Sequence, residues 1–154
     1  MNTTKAYGLA VKLLDEHDLL ETGWTFKFDR SVRRFGQCNY TDRTISLSEK
    51  LTELNTEEVV KETLLHEIAH ALTRGCHHNH IWKAVAKSIG CSGERTYDPN
   101  TIVQPPAKYI LICNSCGYQS KANKKSTNAC GKCCKKYNNN KWSEKYVFQY
   151  IRNN

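Results

Sequence analysis

Apolar and polar residues change their period several times along this chain, and each change marks an element. Between Thr4 and Leu20 the residues Ala6, Leu9, Ala10, Leu13, Leu14 and Leu20 recur at near-helical spacing. That predicts an amphipathic helix capped by Thr3 or Thr4 and stopped by Gly23. Trp24-Thr-Phe-Lys-Phe28 alternates apolar with polar residues, as a half-buried strand does. Phe35–Tyr40 and Thr44–Ser48 flank the turn-forming Thr41-Asp42-Arg43 and predict a strand pair.

The longest apolar pattern follows. Val59, Val60, Leu64, Leu65, Ile68, Ala69 and Leu72 predict a helix from Asn55 to Thr73, central and buried because its apolar residues cover so much of its circumference. Asn55 with Glu58 resembles a capping box, and Gly75 stops the helix. Ile81–Ile89 predicts one more helix, ended by Gly90. All the prolines lie within Pro99–Pro106, which reads as a linker. Beyond it come Tyr109-Ile-Leu-Ile112 and a final alternating strand over Tyr146–Ile151, with Tyr146, Phe148 and Tyr150 sharing its inner face.

Charge sharpens that division. Residues 1–104 carry 13 basic and 14 acidic side chains, whereas residues 105–154 carry 10 basic and one acidic, Glu144. The chain's net charge of +8 therefore belongs to its last third, and a basic module beside a near-neutral one points to a polyanionic partner, nucleic acid first. The expected domains are 1–104 and 105–154. No apolar run reaches the roughly 20 residues that span a bilayer, and no signal peptide opens the chain, so a soluble, cytoplasmic location is expected.

Five residues carry the sharpest chemistry. His66-Glu67-Ile68-Ala69-His70 places two imidazoles on one face of a helix, where they can take two positions on a tetrahedral zinc. Glu67, next to the first ligand, is positioned as the general base for water activated by that metal. Burying these groups in an apolar helix is costly unless a metal satisfies them. A catalytic site needs a third protein ligand and leaves one position open. His77, His78 and His80 follow directly, and Glu94 is a further candidate; spacing does not choose among them. Tyr97, His77 and His80 are candidates for stabilising an oxyanion.

The eight cysteines include Cys113-Asn-Ser-Cys116 and Cys130-Gly-Lys-Cys133. Two such pairs build a closed, structural four-thiolate zinc site, with Cys134 as a register rival to Cys133. Cys38, Cys76 and Cys91 are expected to be thiols without a metal. Around the paired cysteines, Lys135, Lys136 and Lys141 can neutralise phosphates, and Tyr137 and Trp142 can stack on unpaired bases.

Leu64-Leu-His-Glu-Ile-Ala-His-Ala-Leu72, with His78-x-x-x-Trp82 and Ile89-Gly90 downstream, resembles the SprT-like family, which includes the Spartan DNA–protein crosslink proteases. Thr44-Ile-Ser-Leu-Ser48 and the cysteine ribbon are similar to that family as well. The resemblance implies an α+β, zincin-like metalloprotease domain of helices packed on a small β-sheet, followed by a zinc ribbon. It implies His78 as the third zinc ligand and Trp82 as the aromatic that follows it, although Asn79 stands where the family usually has glycine. It also implies one catalytic and one structural zinc, DNA, single-stranded included, as partner, and DNA-bound or crosslinked proteins as substrates. Two rival readings are a nucleic-acid-binding ribbon module whose histidine site is structural, and a peptidase that cleaves one specific partner.

Overall fold

In the computed structural model, which describes residues 1–96 and 101–153, the chain divides into two compact units, Met1–Pro105 and Pro106–Asn154. The fold class is α+β in both.

The first unit opens with α1, Thr3–Glu16. Its cap is Asn2, whose Oδ1 accepts from the Thr4 and Lys5 amides at 2.9 and 3.2 Å, so the threonines expected as caps lie inside the helix. The helix also ends earlier than its apolar pattern: Asp18 adopts φ +56°, yet Leu19 still reaches the core. Strands β1 (Thr25–Asp29), β2 (Gly36–Asn39) and β3 (Thr44–Ser48) form a sheet in the order β1-β3-β2, with β1 parallel and β2 antiparallel to β3. Every residue of the central strand β3 is buried.

Ser48 ends β3 and caps α2, Glu49–Leu54, by accepting from the Leu51 amide at 3.1 Å. The sequence pattern had not suggested this short helix. Asn55 closes α2 instead of capping the next helix: its side chain donates to Leu51 C=O and Val103 C=O and accepts from the Val103 amide at 2.7 Å. The central helix α3 therefore starts later, at Glu57, with Thr56 as its cap, and runs to Leu72. α4 spans His80–Ser88. Leu14, Ile45, Leu47, Leu51, Leu64, Ile68 and Trp82, all at 2% exposure or less, form the centre of the core, so α3 is fixed against α1 and the sheet by close-packed side chains.

The second unit is a sheet in the order β5-β4-β6, from β4 (Tyr109–Ile112), β5 (Gln119–Ala122) and β6 (Gln149–Arg152), with α5 (Gly131–Tyr137) beside it. The last strand begins later than its alternation suggests, because Glu144–Tyr146 forms a 3-10 turn. Tyr146 is buried there, while Phe148 packs against the cysteines and the Tyr150 hydroxyl bonds Ser126 Oγ at 2.8 Å. Among the described residues no helix is long and apolar enough to cross a membrane.

Candidate metal centre and active site

His66 and His70 stand one turn apart on α3 and face the same way. The loop after α3 then turns back sharply. Gly75 and His77 both take left-handed backbone, at φ +82° and +48°, and the chain re-enters a helix at Asn79. Asn79 Oδ1 accepts from the Ile81 and Trp82 amides at 3.0 and 3.1 Å. An asparagine here caps α4 strongly, which fixes the helix start immediately after His78.

As a result three imidazoles converge. His78 Nε2 lies 3.1 Å from His66 Nε2 and 3.1 Å from His70 Nε2, and all three ligand atoms fall within 4.8 Å of one another. Nitrogens sharing a tetrahedral zinc would stand about 3.3 Å apart, given Zn–N bonds of about 2.0–2.1 Å. The donor set therefore fits that metal. Burial, then repulsion from His78, pushes His66 down to about 4. Burial, then the neighbouring histidines, does the same to His70, also to about 4. Both are neutral at physiological pH and offer a lone pair.

Trp82 holds the three rings in place. It is 1% exposed, lies nearly parallel to His70 at 5.1 Å and 26°, and meets His66 and His78 edge-on at 4.8 and 4.7 Å. Tyr40 secures the end of α3 from the other side, donating its hydroxyl to His70 C=O at 2.9 Å.

Glu67 lies against β2. A Cβ on Gly36 would come within 2.6 Å of Glu67 Oε1, so only glycine lets the strand approach the carboxylate this closely. Burial pushes the Glu67 carboxyl up to about 7, against the downward pull of the Cys38 N–H and of Arg34. Two open clefts border it. One, of about 420 Å³, has Arg33, Arg34, Phe35, His66, Glu67 and Arg95 in its wall. The other, of about 300 Å³, is lined by Gln37, Cys38, Tyr40, Glu67, His70, His77 and His78.

Of the other candidate ligands, His77 borders the second cleft, His80 opens α4 in an exposed position, and Glu94 pairs with Lys83 at 3.4 Å; none belongs to the triad. Tyr97 lies outside the described residues.

In the second unit Cys113, Cys116, Cys130 and Cys133 cluster, with Sγ–Sγ distances of 3.7 Å for both Cys113–Cys133 and Cys116–Cys130. Four thiolates on a tetrahedral zinc would stand about 3.8 Å apart, from Zn–S bonds of about 2.3 Å. Cys134 is buried beside them but outside the cluster. Cys91 donates its thiol to Glu62 Oε1 at 3.2 Å instead. Lys135, Lys136 and Tyr137 share α5; Tyr137 is 57% and Trp142 61% exposed. Lys136 Nζ sits 5.0 Å over the Tyr137 ring, and Trp142 Nε1 donates to Thr127 C=O at 3.1 Å.

A model of the SprT-like family matches residues 10–103. The chain belongs to the SprT-like family. The match spans all three histidines and Glu67 and ends before the four cysteines. No curated protein matches the chain. A solved structure similar to it is the metallopeptidase zymogen jannalysin of Methanocaldococcus jannaschii, at 12% identity over 62% of this chain and 85% of that one, with a TM-score of 0.48.

Sequence reasoning did not single out β2 or the three arginines as neighbours of this SprT-like centre. A lone glycine at the start of a predicted strand was the available signal, because such a glycine often marks a close backbone approach.

Proposed function

We propose that this SprT-like protein is a zinc-dependent endopeptidase that works on DNA and cleaves DNA-bound or DNA-crosslinked proteins. One observation carries the peptidase reading: three histidine nitrogens converge beside a buried carboxylate that borders two open clefts. His66, His70 and His78 would hold the metal. A bound zinc in this site supplies Lewis acidity, polarising a carbonyl and lowering the pKa of water.

The rest falls to the chain's own groups. Glu67 accepts a proton from the attacking water at an Oε and delivers it to the departing amine. The Cys38 N–H holds that carboxylate in place. β2 offers a rail for the substrate. Phe35 C=O accepts from the Ser48 amide at 2.7 Å, so in an antiparallel ladder the alternate residues Gln37 and Asn39 also face β3. Gly36 and the Cys38 carbonyl then present their backbone to the outer edge, beside the Cys38 N–H that Glu67 occupies, and an extended peptide can add there as a strand and run from one cleft to the other.

The four cysteines leave no open coordination position, so their role is structural. The resemblance to a family that includes crosslink proteases and the basic and aromatic residues Lys135, Lys136, Tyr137, Lys141 and Trp142 support DNA as the partner.

The test is cleavage of a basic DNA-binding protein by the zinc-loaded chain, with and without single-stranded DNA, beside Glu67→Gln and a Lys135/Lys136/Lys141 charge reversal. Cleavage stimulated by DNA, lost in the first variant and no longer stimulated in the second, is expected. Cleavage indifferent to DNA in every chain would remove the DNA half of the proposal.

A further inference from the structure

The proton chemistry above makes no use of the guanidinium groups beside it. Arg33, Arg34 and Arg95 border the 420 Å³ cleft together, and among the described residues that line it Glu67 is the single carboxylate. Their charges reach the centre: Arg34 acts on Glu67, and Arg95 on His78.

The three arginines are not equivalent. Arg34 is anchored, because its guanidinium meets Asp29 Oδ2 at 3.0 Å. Asp29 is itself held by Ser46 Oγ and the Ser31 amide, each at 2.8 Å. Arg33 and Arg95 have no carboxylate within ion-pairing distance among the described residues. Glu94, next to Arg95 in the chain, is turned to Lys83. Two cations with no carboxylate partner among the described residues thus overlook a cleft whose lining includes Phe35 and Leu51, 4% and 1% exposed.

We infer that this cleft is a specificity subsite that takes an acidic side chain, glutamate above all, from the peptide being cut. The inference rests on the peptidase reading. Methylenes suit the apolar part of the lining, and a terminal carboxylate can accept charge-assisted bonds from the Arg33 and Arg95 guanidiniums. A lysine or arginine entering here would meet like charge, so the same groups reject it. The apolar residues in its lining favour a peptide side chain over a phosphate backbone.

The experiment has two stages. The zinc-loaded chain is incubated with an unfolded protein, and every cut is mapped by mass spectrometry. Peptide pairs that differ only by Glu or Gln at the mapped position are then compared, at low and high salt, using the wild type, the double variant Arg33→Gln/Arg95→Gln and the double reversal Arg33→Glu/Arg95→Glu. Thermal melting and zinc content check that the variants are folded.

Glutamate is expected at one fixed position relative to the cut bond. The Glu peptide should have a kcat/KM about five- to tenfold above its Gln partner, expressed mainly in KM, and the ratio should shrink as salt rises. The Gln double variant should bring the ratio to about one, and the charge reversal should favour Lys at that position. Cuts mapped without acidic enrichment would overturn this inference and leave the peptidase reading standing. A charge reversal that weakens DNA stimulation while leaving the Glu/Gln ratio intact would also overturn it, assigning the arginines to phosphates. No cut by the wild type would remove the peptidase reading, and this inference with it.

Discussion

The two ligand clusters of this chain differ in what surrounds them. The four cysteines lie in a unit whose buried apolar cluster is Cys113, Cys130, Cys133, Cys134 and Tyr146; remove the sulfurs and one residue is left. The three histidines stand at the edge of a core built from α1, the sheet, α3 and α4, which buries Leu14, Ile45, Leu64 and others besides the ligand residues. The first cluster offers four ligands, which would fill a tetrahedral metal's coordination and leave no position open. The second supplies three ligands, a buried carboxylate and two clefts, so its fold leaves metal coordination free for chemistry. One chain thus separates a ligand cluster that stands in for a core from a ligand cluster that a core presents.

The largest effect should come from the closed site. Cys113→Ser is expected to unfold the second unit, because structural zinc contributes on the order of 10 kcal/mol to domains of this kind. Amide protection in residues 106–153 should collapse while the first unit keeps its own. If both units stayed protected, the contrast would be lost.

His70→Ala probes the other side. It should drop the zinc content by one equivalent, from the two that the two clusters can hold, and abolish cleavage, yet leave the first unit folded. Unfolding of that unit on loss of its metal would show that the histidine site also makes its fold.

Gly36→Ala sharpens the account of how the fold presents the carboxylate. The new methyl would lie 2.6 Å from Glu67 Oε1 and 2.9 Å from Thr63 Cγ2, so β2 or Glu67 must shift. A loss of about 1–3 kcal/mol in urea unfolding is expected, with a larger proportional loss of activity. Unchanged stability and rate would mean that β2 does not press on α3.

The smallest effect concerns Asp29. Burial raises its pKa, but the Ser31 amide, Ser46 and Arg34 together outweigh burial and hold it below the ordinary 3.8. A depressed carboxyl pKa contributes stability above the ordinary value that is lost as pH falls below it. Asp29→Asn should therefore cost about 1 kcal/mol at pH 7 and flatten the acid limb of the stability curve below pH ~3.8. An acid limb identical to wild type would contradict this.

Local chemistry made part of this legible in the sequence. The i, i+4 spacing of His66 and His70 fixes a shared helix face, and the paired cysteines fix a four-thiolate cluster, because both depend on neighbours in the chain. The choice of His78 came from family resemblance, since three histidines in one loop look alike until the backbone turns at Gly75 and His77. Asn55 misled because it follows one helix and precedes another, and its amide serves the first. The clefts were not legible. Gly36 approaches Glu67, and Arg33 and Arg95 share a cleft with it, only through tertiary packing, and no local period records that.

The most direct measurement compares cleavage of an unfolded protein by wild type and Glu67→Gln, each carrying a full zinc complement. Equal zinc and equal melting temperature with a rate at least about 10²-fold lower in the variant is the predicted result. Equal rates from the two proteins would contradict the central claim that Glu67, held beside the histidine triad, performs the proton transfers of a peptidase.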